Sequence, residues 1–93
     1  MKDWHKKASN VSSRKKAIAL GRADGEECAL ECLRDAVLAG TETPDENPEG
    51  WAQWGDYASE AASLGGVSDR WRRVYVQAFE REAGKVVAAW DAT

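Results

Sequence analysis

Residues 67–90, VSDRWRRVYVQAFEREAGKVVAAW, carry apolar side chains at Trp71, Val74, Tyr75, Ala78, Phe79, Ala83, Val86, Val87 and Trp90. Steps of three and four place them on one face of an α-helix of about six turns, roughly 35 Å long at 1.5 Å per residue. Arg70, Arg73, Gln77, Glu80, Arg81 and Lys85 fall on the other face. A stripe this wide cannot stay in water, so the rest of the chain must pack against it. Ser68 or Asp69 is the expected cap. Asp69 and Arg73 form an acid-to-base pair one turn apart near the positive end of the helix dipole. Trp71, Tyr75 and Phe79 are expected to stack along the stripe, with Trp71 and Trp90 in the core.

The segments before this helix also read as helical. Ser12 or Ser13 can cap a helix from Arg14, leaving residues 1–13 as a basic arm or short helix whose Trp4 docks on a domain of residues 14–93. Gly21-Arg-Ala-Asp-Gly25 is an ambiguous junction. Asp24 and Glu27 have the spacing of a capping box, which predicts a break and a second helix over 25–39, stopped by Gly40. The alternative keeps both glycines inside one long helix, where each costs about 1 kcal/mol but permits close packing. The break is the preferred reading. The predicted apolar face is Ala29, Cys32, Leu33, Ala36 and Val37. Residues 41–47, TETPDEN, have no periodicity and read as a loop. Asn47-Pro48 then predicts a helix to Leu64, ended by Gly65-Gly66, that buries Trp51, Trp54, Ala58, Ala61 and Ala62. No stretch alternates like a strand. The expected fold is all-α, a compact bundle of three to four helices with a long amphipathic C-terminal helix.

Composition narrows the class. At 93 residues, 43% hydrophobic and 31% charged, the chain suits one small globular domain. No apolar run approaches membrane-spanning length, and the basic N-terminus lacks the apolar core of a secretory signal, so a cytoplasmic location is expected. The cysteines, Cys28 and Cys32, sit one helical turn apart, a geometry that suits two free thiols better than a disulfide. Two thiols fall short of the about four ligands of a closed zinc site, and the sole histidine is the distant His5, so neither metal nor cofactor is expected. No Gly-rich loop, Ser–His or Cys–His constellation is readable, which predicts a protein that is not an enzyme.

Charge is distributed unevenly. Residues 1–22 hold seven basic side chains against Asp3, a net of +6, and residues 23–93 hold six basic and fifteen acidic ones, a net of −9. Between residues 24 and 60, eleven acids face only Arg34. Part of that excess belongs to helix starts, and the remainder makes a field that would steer a basic partner. The leading expectation is a small inhibitor or adaptor that engages a basic, nucleic-acid-handling protein through Glu42, Asp45, Glu46 and Glu49, with Trp51 and Trp54 as hot spots. In size and composition alone, with no motif to carry a family, the chain resembles small accessory proteins of phages and mobile elements. The alternative is nucleic-acid or nucleotide binding through Lys6, Lys7, Arg14, Lys15 and Lys16, with Arg70 and Arg73 as a second cluster. A helix-turn-helix over 57–75 would place those arginines at the start of a recognition helix, but it puts two glycines in the turn and Arg72 where an apolar residue belongs. A basic arm on an acidic body also permits a homodimer, with Tyr75 and Val76 at its edge.

Overall fold

A computed structural model describes residues 11–90. Among them are three α-helices, here α1 (Arg14–Ala39), α2 (Gly55–Leu64) and α3 (Asp69–Ala89), with a 3-10 turn, Gly50–Ala52, before α2. The all-α bundle with a long amphipathic C-terminal helix is therefore present. Gly21 and Gly25 lie beside Tyr75 and Phe79 in the same order along both helices, so α1 and α3 run parallel. Tyr57 lies against the Cys32 end of α1 and Leu64 beside Asp24, so α2 runs back between them. The topology is up-down-up.

The ends follow from local chemistry. Ser13 is extended and its hydroxyl accepts from the Lys16 N–H at 3.2 Å, which caps α1 as expected. Gly40 ends the helix with φ +70°, a conformation that glycine alone adopts without strain, and its N–H returns to the last turn. Ser68 precedes α3 in extended backbone, and Trp90 leaves it.

The predicted break in α1 does not occur. One helix of 26 residues runs through both glycines. Asp24 is no cap: it is 6% exposed, and its Oδ2 accepts the Tyr75 hydroxyl at 2.6 Å. The cost of two mid-helix glycines is offset by the packing they allow. A Cβ on Gly21 would stand 2.5 Å from the Tyr75 carbonyl oxygen, and one on Gly25 would overlap the Phe79 carbonyl oxygen. With no side chain in the way, the aromatic rows Tyr75 and Phe79 sink fully beneath α1. Their ring centroids are 6.1 Å apart. Each such side chain contributes about 2–3 kcal/mol on burial.

The predicted helix over 48–64 is also interrupted. Asn47 does act at its start, with Oδ1 accepting the Gly50 N–H at 3.1 Å. The helix then stops because the Trp54 indole N–H takes the Trp51 carbonyl at 2.9 Å, the acceptor that a continuing helix needs. A new helix begins when Ala58 N–H donates to the Trp54 carbonyl. Arg72, awkward in a helix-turn-helix reading, spans the α2–α3 corner and donates to the Ser59 carbonyl at 2.9 Å and the Ser63 hydroxyl at 2.6 Å.

Several burial expectations change. Tyr75 is wholly buried and cannot edge a dimer interface. Trp71 and Trp90 are only half-buried, and the Arg70 guanidinium covers the Trp71 ring at 4.9 Å. Val37, expected inside, is exposed together with Leu30 and Leu38. The reason is that α1 packs chiefly on α3, which fixes its buried row as Ala17, Gly21, Asp24, Gly25, Ala29, Leu33 and Ala36.

Candidate functional site

Helix α2 is short and rich in alanine, and it packs on α3 while scarcely touching α1. The seam between α1 and α2 therefore stays open, with Phe79 of α3 beneath it. Two grooves occupy the seam, of about 280 Å³ and 380 Å³, and Tyr57 lines both. On α1 the lining residues run from Asp24 to Ala39 at steps of three and four, a furrow about 23 Å long at 1.5 Å per residue.

Its walls carry one sign of charge. Asp24, Glu27 and Glu31 of α1 and Glu60 of α2 line the first groove, and Asp35 lines the second. The apolar contribution comes from Phe79, Trp51, Trp54, Tyr57 and Leu64. Tyr57 is 51% exposed and Leu64 65%, both on the α2 rim. This combination of an apolar floor with carboxylate walls suits a ligand that is itself apolar on one side and cationic on the flanks.

The acids singled out from the sequence lie beside this furrow. Glu42, Asp45, Glu46 and Glu49 are all exposed on the loop at its Ala39 end. Glu46 is partly engaged at home, where its carboxylate accepts from the Thr43 N–H and hydroxyl, both at 3.1 Å. Trp51 pins that loop by donating its indole N–H to the Glu42 carbonyl at 3.0 Å. Trp54 is 4% exposed and belongs to the core, so of the two tryptophans only the half-buried Trp51 presents surface. Lys6, Lys7 and Trp4 lie outside the described residues. Arg14, Lys15 and Lys16 occupy the first turn of α1 and are exposed, as are Arg70 and Arg73 on α3.

Cys28 and Cys32 are half-buried free thiols in the wall of the furrow, near Tyr57. Burial pushes Cys28 up to about 12 from an ordinary 9.0, with the neighbouring Cys32 adding to the shift. Burial also raises Cys32, and Tyr57 is raised first by the charge that Cys32 would carry and then by burial. Tyr75 moves the same way, chiefly through burial and then through its bond to Asp24. Among the described residues no group of three or more His, Cys, Asp or Glu is placed to hold a metal ion.

These shifts fix a sign. The folded protein holds Cys28 and Tyr75 protonated at pH values where an unfolded chain would ionise them. The Cys28 contribution to stability is complete below pH 9 and is lost as pH rises from about 9 through about 12, and that of Tyr75 begins to fall only above its ordinary 10.0. Thermal melts recorded from neutral pH upward should show a falling midpoint above pH 9, and Cys28→Ala should flatten the early part of that fall. A midpoint that holds steady through this range would contradict the assignment.

The sequence marked Glu60 only as one of the acids of the 24–60 stretch and did not single out Tyr57 or Leu64, although both were legible as apolar residues off the predicted stripe of their helix. No helix of the described residues is long and apolar enough to cross a membrane. Comparison of the chain with protein-family models, with curated proteins and with solved structures gives no match in any of the three.

Proposed function

We propose that this protein is an interaction module, an inhibitor or adaptor in type, that seats a basic amphipathic helix of a partner protein in the furrow between α1 and α2. The observation that carries this reading is the open seam itself: an apolar floor with carboxylates along both walls and two exposed apolar side chains, Tyr57 and Leu64, on the rim. A helix laid in a groove anchors by residues at steps of three and four. The furrow's 23 Å, about fifteen residues of helix, matches four turns. Lysines or arginines on the flanks of that helix meet Glu27, Glu31, Asp35 and Glu60. The loop acids Glu42, Asp45, Glu46 and Glu49 extend the field beyond the contact and speed the encounter.

A labelled amphipathic peptide of leucine and lysine, and a scrambled peptide of the same composition, supply the test. The amphipathic peptide should bind, more weakly as salt rises, and the scrambled one should bind far less because charge without an apolar face cannot use the floor. Tyr57→Ala with Leu64→Ala should cost about tenfold or more, the loss typical of a hot spot. Glu60→Lys should weaken binding most at low salt. Equal affinity for the two peptides, or binding untouched by the Tyr57 and Leu64 changes, would sink this reading.

A further inference from the structure

On the side of α1 away from the furrow, the molecule reverses its charge. A groove of about 200 Å³ between α1 and α3 is lined by Arg14 and Arg22 from the first and by Arg81 and Lys85 from the second. Glu82 is the one acid lining it, and its carboxylate is taken by Arg22 Nε at 3.2 Å. Gln77 adds an uncharged donor to the same wall. Arg70 and Arg73 continue the row toward the start of α3, since residues 70, 73, 77 and 81 share one face at helical steps, and all four are exposed. From Arg70 to Lys85 the row is about 22 Å long at 1.5 Å per residue.

We infer that this face binds the phosphodiester backbone of a nucleic acid. Six cations from two helices converge on one surface, while the acidic excess of the chain lies across the molecule along the furrow. The net charge of −3 is therefore a poor guide to the field on this side. Guanidinium groups dominate the set, and their planar forks match phosphate oxygens better than ammonium groups do. The 22 Å row corresponds to about six base steps at 3.4 Å per step along a strand. The apolar lining of the groove is Ile18, Val74 and Ala78, part-buried or buried between the cations, and none of the exposed large apolar side chains lies in it. A row of solvated cations of this kind positions a strand by its backbone and carries little sequence preference. This assignment is independent of the furrow, and the two sites lie on different sides of α1, so both can be occupied at once.

Anisotropy of a short labelled duplex and of its separate single strand, titrated with the full chain, tests the inference. With Arg22 held by Glu82, five phosphate contacts predict a loss of about 500-fold in affinity between about 50 mM and 200 mM salt. Arg81→Ala with Lys85→Ala should reduce the salt slope by about 2, and Arg70→Ala with Arg73→Ala by a similar amount. All four side chains are exposed, so circular dichroism should show the fold intact in both variants. Duplex and single strand binding alike would identify the backbone as the ligand, as inferred. Failure to bind either oligonucleotide at the lower salt would overturn the inference. So would retention of the full salt slope in both double variants, which would move the contact to Lys6 and Lys7; tight binding of inorganic tripolyphosphate without either oligonucleotide would make the site one for small polyphosphates instead.

Discussion

Gly25→Ala should lower the stability of this domain by about 2 kcal/mol, while Gly84→Ala should raise it by about 0.5–1 kcal/mol. The two substitutions are chemically the same, and both positions are helical. Alanine gains about 1 kcal/mol of helix propensity at either site. At Gly84 nothing lies within 4 Å of the new methyl group, so the gain is kept. At Gly25 the methyl meets the backbone of Phe79, which cannot rotate out of the way as a side chain would. Helix α1 must then lift off α3, and overpacking of this kind costs about 3 kcal/mol where the obstacle is backbone. Changing Gly21 as well adds a second clash, against the Tyr75 carbonyl, and the pair should remove much of a total stability on the order of 5–14 kcal/mol for a chain this size. Urea unfolding of the three variants decides the matter. Stabilisation by Gly25→Ala would mean that α1 and α3 do not meet at the glycines.

Tyr75→Phe should cost about 2 kcal/mol, because removing one partner of a buried hydrogen bond leaves the other unsatisfied at a cost of about 1–3 kcal/mol. The ring stays and only the hydroxyl that meets Asp24 at 2.6 Å is lost. Asp24 is nearly as buried as Tyr75, so water cannot replace the lost donor cheaply. Asp24→Ala alone should cost a comparable amount, and Tyr75→Phe combined with Asp24→Ala should cost clearly less than the two added together. A double-mutant cycle on unfolding free energies measures that coupling. Strict additivity would show that the two residues do not share a bond.

The Asp24–Tyr75 contact marks where reading the sequence alone reaches its limit. The C-terminal stripe is explicit in the spacing of its apolar residues, and Ser13 and Gly40 mark helix ends by local chemistry, so those features are legible; Ser68 stands at the start of α3 without a side-chain capping bond. Gly21 and Gly25 are legible only in hindsight. Taken one at a time, a glycine breaks a helix, and Asp24 beside it looks like a cap. The signal lay in two spacings of four, Gly21 with Gly25 and Tyr75 with Phe79, which interlock once the helices are parallel. The interruption at Trp54 depends on an indole reaching back three residues, and backbone propensity does not register that.

The two candidate sites were hidden for a different reason. Arg14 and Arg22 are read with the N-terminal arm and Arg81 and Lys85 with the last helix, about sixty residues apart, and only the packing of α1 on α3 joins them. The furrow is a contact that does not form. Alanines in α2 predict a close partner, and they deliver one in α3, but nothing local says that α1 will stand off. Composition did identify the acidic middle of the chain, and the structure arranges part of it along the furrow walls.

The most direct test of the account follows backbone amide resonances while the amphipathic leucine–lysine peptide is added. The furrow predicts that the largest shifts fall on Glu27, Cys28 and Glu31 of α1 and on Tyr57, Glu60 and Leu64 of α2, with Arg70, Arg81 and Lys85 barely moved. Shifts concentrated on the outer face of α3, or spread evenly over the surface, would contradict it.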